Sequence, residues 1–152
     1  MPEPKKPIIK PPHIALALLF LEWLLDYLFP QLRFIIGMHR YIGVFIFIFG
    51  LSITFSSFYF FKKNKTPILP GQKPTFMVAE GTYKFTRNPM YLGVTTALFG
   101  FSVYFGNLLS FLSPLIFFLI MNYHFVPREE KLMENIFGKQ YLNYKNEVRR
   151  WL

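Results

Sequence analysis

The chain contains no cysteine. Disulfide staples, thiolate nucleophiles and cysteine-based metal sites are therefore excluded. Histidine is scarce as well: the three in the sequence are His13, His39 and His124. None has a partner at metal-ligating spacing, so no metal centre is predicted. Charge is sparse, at 16% of residues, with only 8 acids, well below the level of an average soluble domain. A small-residue cleavage site is missing after the first apolar run, and that run carries Glu22 and Asp26. It does not read as a secretory signal. There is no internal repeat.

What is present is apolar and aromatic. Of the 152 residues, 53% are hydrophobic and 20% aromatic, 20 of them Phe, and mean hydropathy is +0.30. The length suits a single domain, residues 1–152. The apolar residues fall in blocks, the signature of membrane-crossing helices. The net charge of +9 lies beside these blocks. That placement points to anionic lipid headgroups as partners and not to nucleic acid. The expected class is an all-α integral membrane protein.

Four spans are predicted, at about 14–29, 42–61, 90–105 and 108–125. They follow a Pro- and Lys-rich cytosolic tail over 1–12. The 36 residues from Asn88 to Tyr123 lack any charge, and one helix needs only about 20. Gly106-Asn107 supplies the turn that divides the run in two. Pro114 is expected to kink the fourth span. Of the 17 basic residues, only Arg33 and Arg40 lie between the first and second spans. Four spans with both termini in the cytosol put all the others on one side. Beyond the fourth span, residues 127–152 read as cytosolic helices. Pro127 with Glu129 and Glu130 opens the first of them, and Gly138 stops it. Tyr141, Tyr144, Val148 and Trp151 then recur at helical spacing among Lys145, Arg149 and Arg150. They suit an amphipathic helix in the headgroup region.

Two strings exceed what membrane anchoring requires. One is "GTYKFTRNPMYLG", residues 81–93; the other is "PREEKLMENIFGKQYLNYKNEVRRW", residues 127–151. They flank the last hydrophobic hairpin. Together they resemble the isoprenylcysteine carboxyl methyltransferase and phospholipid methyltransferase superfamily, and the bacterial and archaeal members most of all. A prokaryotic inner membrane is the setting that resemblance implies. The likeness covers roughly residues 76–152. It implies that the cytosolic ends of the last spans and the C-terminal helices enclose S-adenosylmethionine, with a lipid-like or small hydrophobic substrate arriving from the bilayer. It assigns Tyr83, Arg87, Asn88, Tyr91, Glu129, Glu130, Tyr141 and Tyr144 to the cofactor. Gly81 would shape the preceding loop, Gly93 would let its helix pack closely, and Phe137 and Gly138 fall on the closing helices. Asn88 stands where eukaryotic members carry His. Phe125 stands where isoprenylcysteine enzymes often carry Arg, the nearest here being Arg128. Both departures argue against a prenylated-protein carboxylate as the acceptor.

The residue types agree with that chemistry. Carboxylates accept from a ribose diol or pair with an ammonium, Arg87 can hold a carboxylate, and tyrosines can face a sulfonium cation. A carboxylate acceptor needs no base. An amine acceptor does, and Glu129 and His124 are the candidates. Glu22 and Arg128 are candidates for substrate binding, Glu22 because acids within a span mark function. Asp26 is expected near Arg33 or Arg40. Two other readings stand beside this one: an NADPH-dependent membrane reductase of the sterol type, and a non-enzymatic small membrane protein.

Overall fold

The computed structural model describes residues 10–34, 37–67 and 72–152. Most of the 1–12 tail therefore lies outside the described residues. Six α-helices carry the fold: α1 (Pro11–Leu28), α2 (His39–Lys63), α3 (Pro89–Phe105), α4 (Leu112–Ile120), α5 (Val126–Phe137) and α6 (Lys139–Glu147). Among the described residues there is no strand, only one isolated bridge between Arg33 and Asn107. Three helical stretches are long and apolar enough to cross a membrane: α1, α2 and the continuous stretch Leu108–Phe137. The last loses its apolar character at Arg128, so the charged part of α5 stands beyond the apolar run. α3 is apolar but shorter, at 17 residues.

α3 is the central element. One face packs against α2 through glycines. A Cβ at Gly43 would lie 2.5 Å from the Tyr104 backbone nitrogen, and one at Gly50 would lie 2.5 Å from the Gly93 carbonyl oxygen. Gly93 and Gly100 return the relation, toward the carbonyls of Gly50 and Gly43. Small residues let two backbones approach where no hydrophobic effect drives helices together. The opposite face of α3 joins α1 and α4 in the apolar core of Leu18, Tyr91, Leu98, Phe117, Met121, Phe125 and Val126. α2 contributes nothing to that core, and its outer face, including Tyr41, Phe45 and Phe55, is exposed. Such a surface suits lipid.

Gly106 ends α3 in the left-handed region at φ 66°, a conformation costly for other residues. Asn107 is wholly buried; its side chain donates to the Phe29 carbonyl at 2.8 Å and accepts from Leu109 N. The turn thereby ties the ends of α1 and α3 together. Asp26 pairs side-on with Arg33 at 2.7 and 2.6 Å, as the sequence suggested.

Two expectations change. Pro114 falls in the first turn of α4, straight after the 3-10 turn Leu108–Phe111. The irregularity comes instead at Met121–Phe125, a π-turn joining α4 to α5. Val148 and Trp151 are not helical: α6 ends at Glu147, and Val148 is extended. The backbone that follows is taken up by hydrogen bonds from residues 86–88, which a helix could not satisfy.

Candidate functional site

Pro89 sits in the first turn of α3, where its fixed φ and missing N–H cost nothing. The chain before it makes a short 3-10 turn, Gly81–Lys84, with Gly81 at φ 61°. This entry brings Tyr83, Arg87 and Asn88 beside the first turn of α3. From the other side, α5 presents Glu129 and Glu130, and α6 presents Tyr141 and Tyr144. All of these, with Tyr91, line one cavity of about 890 Å3, its open mouth included.

The two glutamates differ. Glu130 is buried and charge-paired: its oxygens accept from Arg150 Nε at 3.1 Å and Nη2 at 2.6 Å. Arg87 Nη1 lies 3.1 Å from the same carboxylate, but off the hydrogen-bonding direction. Arg87 Nε and Nη1 consequently lack any acceptor among the described residues, although the side chain is only 9% exposed. Glu129 has no such cation among the described residues. Its Oε1 accepts from the Tyr91 hydroxyl at 2.6 Å. Burial raises its carboxyl to about 7, and the Tyr91 hydrogen bond opposes that rise.

Aromatic rings form the walls. Phe61 and Tyr83 stand 5.3 Å apart, and Tyr141 and Tyr144 6.1 Å. The Tyr144 hydroxyl donates to the Tyr83 carbonyl at 2.6 Å. Burial pushes the Tyr141 hydroxyl up to about 12, so it stays a neutral donor at ordinary pH. Asn88 lines the cavity too, yet its side-chain amide donates to the Arg150 carbonyl at 2.9 Å.

The remaining candidates lie elsewhere. His124 and Arg128 are exposed and contact one another at 3.1 Å, and neither lines the cavity. Glu22 is fully buried in the bundle, away from the cavity, and both its carboxyl oxygens lack a partner among the described residues. Ser110 nearby donates to the Glu22 backbone carbonyl. Sequence reasoning did not assign Phe61, Phe76, Leu132, Met133 or Arg150 to the site, although they line or support the cavity. Leu132 and Met133 follow Glu129 and Glu130 by three residues, a helical spacing that could have revealed them.

The residues present would suit S-adenosylmethionine: the Arg87 guanidinium for a carboxylate, Glu129, which no cation pairs among the described residues, for an ammonium or diol, and tyrosine and phenylalanine walls.

Comparison with known proteins follows the same line. The profile of the phospholipid methyltransferase family matches residues 38–140. An uncharacterized protein of Haemophilus influenzae (strain ATCC 51907 / DSM 11121 / KW20 / Rd) is 41% identical over 63 residues, which cover 41% of this chain and all of that protein. Among solved structures, the eukaryotic intramembrane Ras methyltransferase, isoprenylcysteine carboxyl methyltransferase, shares the fold with a TM-score of 0.70. Identity there is 23%, over 90% of this chain and 50% of that one, so the chain spans about half that enzyme's length. With more than half of its residues matched by the family profile, and with this helical architecture, the chain belongs to the phospholipid methyltransferase family, as a multi-pass integral membrane protein.

Proposed function

We propose that the protein is an S-adenosylmethionine-dependent methyltransferase. It moves a methyl group to a lipid-like or isoprenoid-like acceptor, through carboxylate oxygen or amine nitrogen, at the cytosolic membrane interface. The observation that carries this reading is a cavity lined both by Arg87, whose Nε and Nη1 lack a hydrogen-bond acceptor among the described residues, and by Glu129, half-buried and without an ion-pair partner among them.

In this reading the Arg87 guanidinium donates to the cofactor's carboxylate from its unpartnered Nε, and Glu129 accepts from its ammonium or ribose hydroxyls. Tyr83, Tyr91, Tyr141 and Tyr144 exclude water and turn ring faces toward the positive centre. When bound, S-adenosylmethionine supplies an electrophilic methyl group. Phe61, Met90, Leu132 and Met133 form the apolar wall along which a lipid chain lies. Alignment and dehydration of the acceptor then carry most of the rate enhancement. A carboxylate acceptor arrives ionised. An amine acceptor must lose a proton, and Glu129, titrating at about 7, can take it. The distribution of basic residues supports four crossings with both termini and the cavity in the cytosol.

The test is calorimetric titration of the purified protein with S-adenosylhomocysteine and, separately, with NADPH. Binding of the first and not the second is expected. Binding of NADPH alone would overturn the reading.

A further inference from the structure

The last residues of the chain meet the site in a way the motifs did not suggest. Arg87 N donates to the Arg149 carbonyl at 2.9 Å. The Thr86 hydroxyl and the Asn88 amide both donate to the Arg150 carbonyl, at 3.0 and 2.9 Å. Trp151 fixes the far end, donating from Nε1 to Asn122 at 2.9 Å and lying 4.8 Å from the Phe118 ring. Residues 148–152 thus form a strap held at both ends. Asn88 does its visible work on the strap.

The Arg150 side chain then reaches Glu130 through both Nε and Nη2. This side-on pairing engages both carboxylate oxygens. Arg87 is left close enough to Glu130 for charge compensation, but without a hydrogen bond from Nε or Nη1. Without Arg150, Glu130 would lose both hydrogen bonds that fix its orientation. It could rotate onto the Arg87 fork, the strongest arrangement open to the pair, and consume those donors.

We infer that Arg150 is a positioning residue: by occupying Glu130 it keeps the Arg87 guanidinium available to an anion in the cavity. The inference rests on the proposed function, in which that anion is the carboxylate of the cofactor's amino-acid end. Arg150 touches neither cofactor nor acceptor and acts through Glu130. It therefore governs one end of the ligand and leaves the adenosine end alone.

The test compares two ligands in detergent-solubilised protein: S-adenosylhomocysteine, and 5′-methylthioadenosine, which lacks the amino-acid end. Arg150→Ala should weaken S-adenosylhomocysteine by about ten-fold or more, the scale of a hydrogen bond to a charged group. Affinity for 5′-methylthioadenosine should stay at the wild-type value, and Arg150→Lys should fall between wild type and Ala. Should Arg150→Ala fail to fold, Thr86→Val removes one strap bond and should lower S-adenosylhomocysteine affinity selectively, by roughly 2- to 10-fold. Equal weakening of both ligands, or of neither, in a wild-type background that binds S-adenosylhomocysteine overturns the inference alone. Absence of S-adenosylhomocysteine binding by the wild type overturns it together with the proposed function.

Discussion

α3 meets its neighbours in two opposite ways. Against α2 it is so tight that four glycines leave no room for a Cβ. At its Pro89 end, against α5 and α6, it borders a cavity ringed by tyrosines and ion pairs. The tight contact is built from backbone and has no charge. The hollow one is built from long polar side chains whose hydrogen bonds hold the walls apart. A helix pair in lipid gains stability from closeness. A ligand site needs the reverse, and here polar groups that cannot collapse onto apolar neighbours keep it open.

The largest effect should come from forcing the tight side apart. Gly50→Val would drive a branched side chain into the Gly93 carbonyl, where even a Cβ stands 2.5 Å away. Folded, monodisperse protein should be lost, as size-exclusion chromatography in detergent would show. Leu132→Phe adds bulk at the cavity wall and should stay folded while binding S-adenosylhomocysteine more weakly.

Next in size is the separation of the adjacent glutamates. Glu129→Gln should weaken S-adenosylhomocysteine by about 10- to 150-fold. It should leave the ligand-free Tm unchanged or higher, because burial already disfavours its charge. Glu130→Gln should lower the ligand-free Tm, because it leaves two guanidiniums with a neutral partner. Breaking a buried pair costs roughly 3–5 kcal/mol, and the partial exposure of Arg150 puts the loss below that range. Thermal unfolding and titration of both variants check the split; equal Tm values would refute it.

The third effect is smaller and concerns pH. A carboxyl raised to about 7 is protonated below that pH and then has no charge to attract an ammonium or strengthen its hydrogen bonds. Affinity for S-adenosylhomocysteine should therefore rise as pH increases through 7, and Glu129→Gln should flatten the profile. The same raised value means that Glu129 contributes less to stability as pH climbs from its ordinary range toward 7. The smallest effect is Asn88→Ala. It removes one neutral hydrogen bond to the strap, about 0.5–1.5 kcal/mol, and should lower affinity only several-fold by the same titration.

Much of this architecture was legible in residue order. Pro89, Gly106 and Gly138 mark helix ends that composition alone locates, because each has a backbone reason to stand there. The meeting of Tyr83, Arg87 and Tyr91 with Glu129 and Glu130 followed from two motifs flanking one hairpin. Their division of labour did not follow. Adjacent identical glutamates look alike until one knows that Arg150 reaches the second and Tyr91 the first. The strap was hidden for a related reason. Val148 and Trp151 sit at helical spacing, but the donors of residues 86–88, some sixty positions earlier, compete for the same carbonyls. Glu22 read as functional from its setting, and its burial away from the cavity leaves it without a role in the proposed site.

The π-turn at Met121–Phe125 has a consequence for rotational phase. A regular helix advances about 100° per residue, and a single-turn π-bulge absorbs one residue beyond that count. The face that α4 turns toward the core and the face on which α5 carries its glutamates are therefore offset from what an unbroken helix would give. The protein needs both phases at once: Phe117 and Met121 against the bundle, Glu129 and Glu130 against the cavity. Winding this segment as regular α-helix with no residue removed would leave every motif readable and swing both carboxylates about a quarter-turn out of the cavity.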